Sequence, residues 1–344
     1  MEYRVLGRTG LRVSSYSLGT ANFGPWGNDD EQECGRLLHE ALDAGVNLID
    51  TADVYGAGRS EEILGRALKR RRDEVILATK LHNPMGSGVN DGGNSRLWVM
   101  RAVEGSLRRL ETDHIDLYQI HRPDPSTDVE DTLAALTELV RQGKVRYIGS
   151  STFPSFLLLE SLWASERRKL EGFACEQPPY SIFVRHVEED VLPLAQRRGL
   201  GILAWSPLAG GWLSGKYRIG REMPNGSRGD RAVMPYMAPR FDLSLPGNQR
   251  KLELVNSLAK VADTAGLALP HMALAFALAH PAVTSIIIGP RTVAQLRELL
   301  LGMDVRLDDD TLDAIDGIVP PGTTLNPADR GWDPPWMAPE ARRR

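Results

Sequence analysis

Asp50, Tyr55, Lys80 and His121 are the residues of this 344-residue chain whose types and spacing point to chemistry. A carboxylate, a phenol, an ammonium and an imidazole brought together are equipment for general acid–base catalysis, in which positioned side chains pass protons to or from a reacting atom. Taken singly, none is distinctive. An Asp at a strand end is often a cap, a Lys there is often solvated, and a lone Tyr or His is usually packing or surface. Their placement sets them apart: each stands at or just beyond the end of one of three successive β-like runs. Asp50 closes 46–51 with Tyr55 in the loop after it, Lys80 closes 75–80, and His121 closes 115–121.

Those runs belong to a longer alternation. Residues 17–20, 46–51, 75–80, 115–121, 145–151, 173–177, 201–205 and 284–288 are short and β-rich. Several are near-continuous Val/Ile/Leu, as parallel strands covered by helices require. Amphipathic stretches lie between them. Residues 30–44 put Leu37, Leu38, Ala41 and Leu42 on one face and stop at Gly45. Ser60 reads as the N-cap of a helix carrying Ile63, Leu64 and Leu68, and Asn94 as the cap of one holding Val99, Val103, Leu107 and Leu110. Residues 129–141 repeat Leu133, Leu136 and Leu139 and end before Gly143. Strand–helix alternation predicts a parallel α/β fold, and eight units predict closure into a (β/α)8 TIM barrel with its active site at the C-terminal strand ends.

Residues 4–13, with Gly7 and Gly10, predict a β-hairpin within an N-terminal segment, 1–15, placed before the barrel. The chain, 1–344, reads as one domain with two departures from the repeat. Residues 218–248 are rich in Gly, Pro, Met and Arg and read as a lid over a cofactor. Residues 319–344, rich in Pro and carrying Trp332 and Trp336, read as an added C-terminal segment.

Composition excludes several classes. With 42% hydrophobic and 25% charged residues the chain is globular rather than disordered. A net charge of −4 offers no basic field to nucleic acid or anionic lipid. The longest apolar run, 272–279, is too short for a membrane span and reads as a buried helix. Met1-Glu2-Tyr3-Arg4 does not open a signal peptide. Cys34 and Cys175 cannot by themselves make a disulfide framework or a zinc site, and His39-Glu40 lacks a second His four residues on, so a reducing, cytoplasmic setting and no metal are expected.

The segment Asn47-Leu48-Ile49-Asp50-Thr51-Ala52-Asp53-Val54-Tyr55-Gly56, followed by Ser60-Glu61, resembles the aldo-keto reductase signature that holds the catalytic Asp and Tyr. Ala78-Thr79-Lys80 and Tyr118-Gln119-Ile120-His121-Arg122-Pro123-Asp124 are similar to the segments with that family's catalytic Lys and His. Leu6-Gly7-Arg8-Thr9-Gly10-Leu11 and Ser206-Pro207-Leu208-Ala209-Gly210-Gly211 match as well, so the resemblance runs from residue 4 to residue 300 in the family's order. It implies reduction of an aldehyde or ketone to an alcohol with NADPH. Tyr55 is then the general acid. Free tyrosine titrates near 10, too high for easy donation at neutral pH, and a nearby ammonium lowers that value. The resemblance gives this work to Lys80, with Asp50 fixing the lysine and His121 orienting the substrate oxygen.

Hydride transfer needs a cofactor, since no side chain supplies hydride. The resemblance places NADPH/NADP+ along the ends of the last four strands. Ser151 and Thr152 match the pair that binds the nicotinamide carboxamide, Gln177 adds a donor and an acceptor to that amide, and Trp205 matches the ring that stacks on nicotinamide. Ser206, Pro207 and Leu208, with Gly210 beyond and Lys216, are placed to meet the pyrophosphate. Gly289 and Arg291, entering the last helix, combine backbone donors, a helix N-terminus and a cation, which suits the 2′-phosphate. Gln295 and Glu298 on that helix reach the adenosine. Thr152 and Leu299 stand where many relatives carry Asn.

Two motifs fail on inspection. Gly56-Ala57-Gly58-Arg59-Ser60-Glu61 lacks the third glycine of a dinucleotide fingerprint, and Gly210…Gly215-Lys216 is followed by Tyr217 where a P-loop needs Ser or Thr. Two other readings stay open: a cofactor-binding regulatory protein with little turnover, similar to the potassium-channel β-subunits, and a barrel lyase or isomerase without nicotinamide. Residues 22–30, with Phe23 and Trp26, and 81–95 are expected to line a pocket that suits small aldehydes, sugars or ketosteroids alike. The partner expected is a small carbonyl compound, with oligomeric state open.

Overall fold

The computed structural model describes residues 1–218, 235–338 and 340–341. Eight parallel strands close into a barrel: β3 (Tyr16–Gly19), β4 (Leu48–Asp50), β5 (Ile76–Leu81), β6 (Ile115–Ile120), β7 (Val145–Ser151), β8 (Cys175–Gln177), β9 (Gly201–Trp205) and β10 (Val283–Ile288), with β10 returning to pair with β3. Before them, β1 (Tyr3–Val5) and β2 (Arg12–Ser14) form the expected antiparallel hairpin, in register Arg4 to Val13.

Strand alternation divides the apolar residues into two sets. Leu48, Ala78, Leu117, Cys175, Leu203 and Ile287 point into the barrel, where the hairpin residues Leu6 and Val13 join them. The hairpin thus plugs one end. Gly7 makes the fit: its φ is +54, and a Cβ there would lie 2.7 Å from the Ala174 carbonyl and 2.8 Å from that of Gly199. The other set faces outward onto the helices.

Those helices are α1 (Glu31–Asp43), α2 (Arg59–Leu68), α3 (Arg96–Arg109), α4 (Val129–Arg141), α5 (Ser155–Arg168), α6 (Val191–Arg198), α7 (Pro246–Thr264), α8 (Leu269–Ala279), α9 (Val293–Leu300) and α10 (Asp309–Ile318). α8 holds the longest apolar run and is buried from Met272 to Leu278. Among the described residues no single helix is long and apolar enough to cross a membrane.

Several expectations need correction. Ser60 does not cap α2; Gly58, at φ 98, is its N-cap, and the Ser60 hydroxyl instead donates to the Thr20 carbonyl at 2.9 Å. The chain reaches α2 through a left-handed turn, which carries the serine two residues past the cap. Asn94 does not cap α3 either. Ser95 does, accepting from the Trp98 amide, while Asn94 donates to the Arg122 carbonyl at 3.0 Å and ties two barrel loops together. α9 is not the last helix, since α10 follows it. Within 218–248, residues 235–240 form a 3-10 helix and α7 begins at Pro246. Arg221, Arg228 and Arg231, on which the lid reading drew, lie outside the described residues. The tail beyond α10 packs back on the barrel mouth, with the Leu325 amide donating to the Phe183 carbonyl and Gly331 set against Trp205.

Candidate active site

β4 ends at Asp50, and the chain then makes a tight turn in which Gly56 (φ 58), Ala57 (φ 55) and Gly58 (φ 98) are left-handed. The turn brings the Tyr55 ring to the barrel mouth, its centroid 5.8 Å from that of His121 and 6.2 Å from that of Trp26. Lys80, on β5, is fully buried. Its Nζ donates to Asp50 Oδ1 at 2.6 Å and to the Thr51 carbonyl at 2.7 Å, and reaches the Tyr55 hydroxyl at 3.5 Å. All three ammonium protons are directed. Burial works against the charge, but the Asp50 carboxylate and Tyr55 outweigh it and hold Lys80 above its ordinary value.

Asp50 is itself saturated. Its Oδ2 accepts from Gln177 Nε2 at 2.8 Å and Gln119 Nε2 at 3.4 Å, so the carboxylate ties β8 and β6 to the lysine on β5. His121 follows β6 directly. Burial drives its imidazole well below the ordinary value, helped by the charges of Arg122 and Lys80, and the ring is neutral at neutral pH. Its Nδ1 lies 3.1 Å from Asn83 Nδ2. With the amide donating there, the single ring proton sits on Nε2, which makes that nitrogen a hydrogen-bond donor.

These groups open into a cavity of about 500 Å³ that extends across the mouth to α9. Of the residues singled out from sequence, Asp50, Tyr55, His121, Ser151, Gln177, Trp205, Ser206, Pro207, Leu208, Gly210, Lys216, Gly289, Arg291, Gln295 and Glu298 line it. Lys80 and Thr152 do not. Lys80 bonds to the wall residues Asp50 and Tyr55 from its buried position. Thr152 is buried with φ +57, and its hydroxyl donates to the Ser151 carbonyl at 2.7 Å.

Part of the expected donor set is committed within the chain. The Gln177 amide donor serves Asp50. At the start of α9 the Val293 amide donates to Glu33 Oε1 at 3.2 Å and the Arg291 amide to Gln295 Oε1 at 2.9 Å. A carboxylate from α1 therefore stands where an anion was expected. Elsewhere the wall suits a long polar ligand. Asn22, Trp205 and Ser214 line the cavity, and their Oδ1, Nε1 and Oγ atoms are buried without a hydrogen-bond partner. Ser206 (φ 58) and the consecutive Ala209 (φ 51), Gly210 (φ 71) and Gly211 (φ 112) place left-handed backbone in the segment that leads to Lys216, a conformation found where backbone must approach a ligand closely. Unpartnered polar atoms, left-handed backbone, the cations Lys216 and Arg291 and an indole fit a dinucleotide.

Sequence reasoning missed Asn83, Gln119, Arg122, Glu33 and Arg240. Asn83 lay in a loop expected to line the pocket, and Arg122 sat inside the His121 segment. Gln119 alternates with Tyr118 on β6, so strand phase could have pointed it inward. For Glu33 and Arg240 no local signal exists.

The chain matches the aldo/keto reductase family model over residues 16–320. It is 42% identical over 332 residues to the uncharacterized oxidoreductase YrpG of Bacillus subtilis, covering 93% of this chain and 96% of that one. It is 39% identical over 326 residues to a probable voltage-gated potassium channel subunit beta of Oryza sativa subsp. japonica, covering 93% and 97%. A protein of the same description from Arabidopsis thaliana is 37% identical over 313 residues, covering 89% and 92%.

Proposed function

The chain belongs to the aldo/keto reductase family, and we propose that it reduces an aldehyde or ketone to an alcohol with NADPH, using Tyr55 as the proton donor. One observation carries the reading: a buried Lys80–Asp50 pair at 2.6 Å whose ammonium also reaches the Tyr55 hydroxyl.

A bound nicotinamide would supply the hydride, a proton with two electrons, that the carbonyl carbon receives. Negative charge then grows on the carbonyl oxygen. Tyr55 gives that oxygen its phenolic proton, and the Lys80 ammonium stabilises the phenolate left behind. Asp50, held by Gln177 and Gln119, keeps the ammonium aimed. The Nε2–H of His121 hydrogen-bonds the same oxygen and fixes its position. Solvent returns a proton to Tyr55, so carbonyl, NADPH and one proton become alcohol and NADP+. Ser151, Gln177 and Trp205 would hold the nicotinamide end. Ser206, Pro207, Leu208, Gly210 and Lys216 would hold the pyrophosphate, and Gly289, Arg291, Gln295 and Glu298 the adenosine and its 2′-phosphate. The partner is a small carbonyl compound. We place the protein in the reducing cytoplasm, a reading supported by Cys34 and Cys175, both free and buried.

The names of the rice and Arabidopsis relatives favour a second reading, a cofactor-bound regulatory subunit. Steady-state NADPH oxidation over a panel of aldehydes, ketones and keto-sugars separates the two. Sustained turnover supports the reductase. Tight NADPH binding with no turnover across the panel moves the chain to the regulatory role.

A further inference from the structure

Arg122 and Arg240 set two guanidiniums against one ring. Their Cζ atoms lie 6.0 Å and 5.4 Å from the centroid of Trp205, and both side chains line the cavity with Tyr55 and His121. Neither the proton-transfer set nor the proposed cofactor contacts use them.

Each is held in place. Arg122 donates to the His121 carbonyl at 2.5 Å, and among the described residues no carboxylate lies within ion-pair distance of it. Burial pulls it down to about 10, with Arg240 adding to the effect, which leaves it charged at neutral pH. Arg240 is tied down by the tail. Its Nε donates to the Ala328 carbonyl at 3.1 Å, and Asp329, 4.0 Å from it, pairs with the buried ammonium of Lys251. Asn326 donates to the Pro239 carbonyl at 3.0 Å and to Asn248 Oδ1 at 2.8 Å, which seals the join. Two like charges fixed at a half-buried site repel each other and lose hydration, and an anion between them offsets both costs. Among the described residues of the cavity wall the carboxylates are Asp50, committed to Lys80, and Glu298, on α9.

We propose that Arg122 and Arg240 form an anion subsite beside the reacting carbonyl, so that the preferred substrates are carbonyl compounds bearing a carboxylate or a phosphate. This rests on the reductase reading.

The test pairs 3- and 4-carboxybenzaldehyde with their methyl esters under NADPH. The wild type is expected to favour the acid by about tenfold or more in kcat/KM, the worth of one charge-assisted hydrogen bond. Arg122→Met and Arg240→Met should each pull that ratio toward one, chiefly through KM. Raised ionic strength should do the same to the wild type, a readout independent of whether either variant folds. Equal kcat/KM for acid and ester overturns the subsite and leaves the reductase standing. Variants that weaken NADPH binding while keeping the ratio also overturn it, making the arginines cofactor contacts. If neither aldehyde is turned over, the reductase reading rests on the wider panel and calorimetry decides the subsite. Binding of benzoate but not benzamide, lost in the double variant, supports it; no binding of benzoate sinks it.

Discussion

Gln177 donates from Nε2 to Asp50 Oδ2 at 2.8 Å, occupying the oxygen that Lys80 leaves open. The amide therefore acts on the lysine through the carboxylate, as a positioning residue. Gln177→Leu is expected to lower kcat about tenfold or more, the worth of a hydrogen bond to a charged group, and to shift the pH dependence of kcat. NADPH affinity should change less. A loss confined to the Kd for NADPH would instead leave Gln177 a contact of the nicotinamide amide alone, with no part in positioning Lys80.

Tyr55→Phe is expected to fold and bind NADPH while losing roughly 10² to 10⁴-fold in kcat, the range for a lost general acid. Lys80→Met should be as damaging, because the phenol loses its ammonium and the Asp50 carboxylate is left buried and unpaired. Single-turnover kinetics with saturating NADPH measures both. Near-wild-type turnover in Tyr55→Phe would remove the tyrosine from the proton transfer.

Cofactor choice turns on α9. On the proposed reading Arg291 would offer the 2′-phosphate a bidentate cation, so NADPH should bind at least tenfold tighter than NADH, and Arg291→Ala should erase most of the difference. Glu33, bonded to the Val293 amide, opposes this by placing a carboxylate at the same helix end. Glu33→Gln should therefore widen the NADPH preference. Paired fluorescence titrations decide it. Equal affinities in the wild type would refute the Arg291 assignment, and an unchanged ratio in Glu33→Gln would put the phosphate elsewhere.

Glu176 makes stability depend on pH. Burial raises its carboxyl from 4.5 to about 8, although Ser150 and the Phe153 amide bond to it. The folded state thus keeps a proton that the unfolded chain releases above 4.5. This contribution is fully present below that pH and is lost as pH rises toward about 8, at up to about 1.4 kcal/mol per unit. Glu176→Gln keeps both hydrogen bonds and cannot ionise. Its urea midpoint relative to wild type should rise between pH 5 and pH 8. A constant difference would mean that Glu176 does not titrate there.

Thr152 holds φ +57, an unfavourable region for a β-branched side chain and a tolerable one for Asn. Thr152→Asn should raise stability by about 1 kcal/mol, the low end of the cost of such strain. A lower thermal midpoint would show that the Thr152–Ser151 hydrogen bond outweighs the strain.

The barrel was legible in the residue order because its signals are local. A buried parallel strand must be apolar along its length, and the helix after it must be apolar on one face. Eight such pairs, with a hairpin before them, leave few ways to close. The same logic put Asp50, Tyr55, Lys80 and His121 at one rim, since every parallel strand ends on the same face. Partner choice is a different matter, because it depends on which distant segments closure brings within hydrogen-bond reach. Gln177 belongs to Asp50, 127 positions away, and Glu33 belongs to Val293, 260 positions away. Arg240 reaches Trp205 under the hold of a tail that includes Asp329, and nothing local to 235–240 announces it. Residue types and periodicity determined the scaffold and the gathering of four titratable residues at one rim. Tertiary structure alone decided what each charged group faces, because an ion's partner is selected by distance in space and by lost hydration, neither of which is written along the chain.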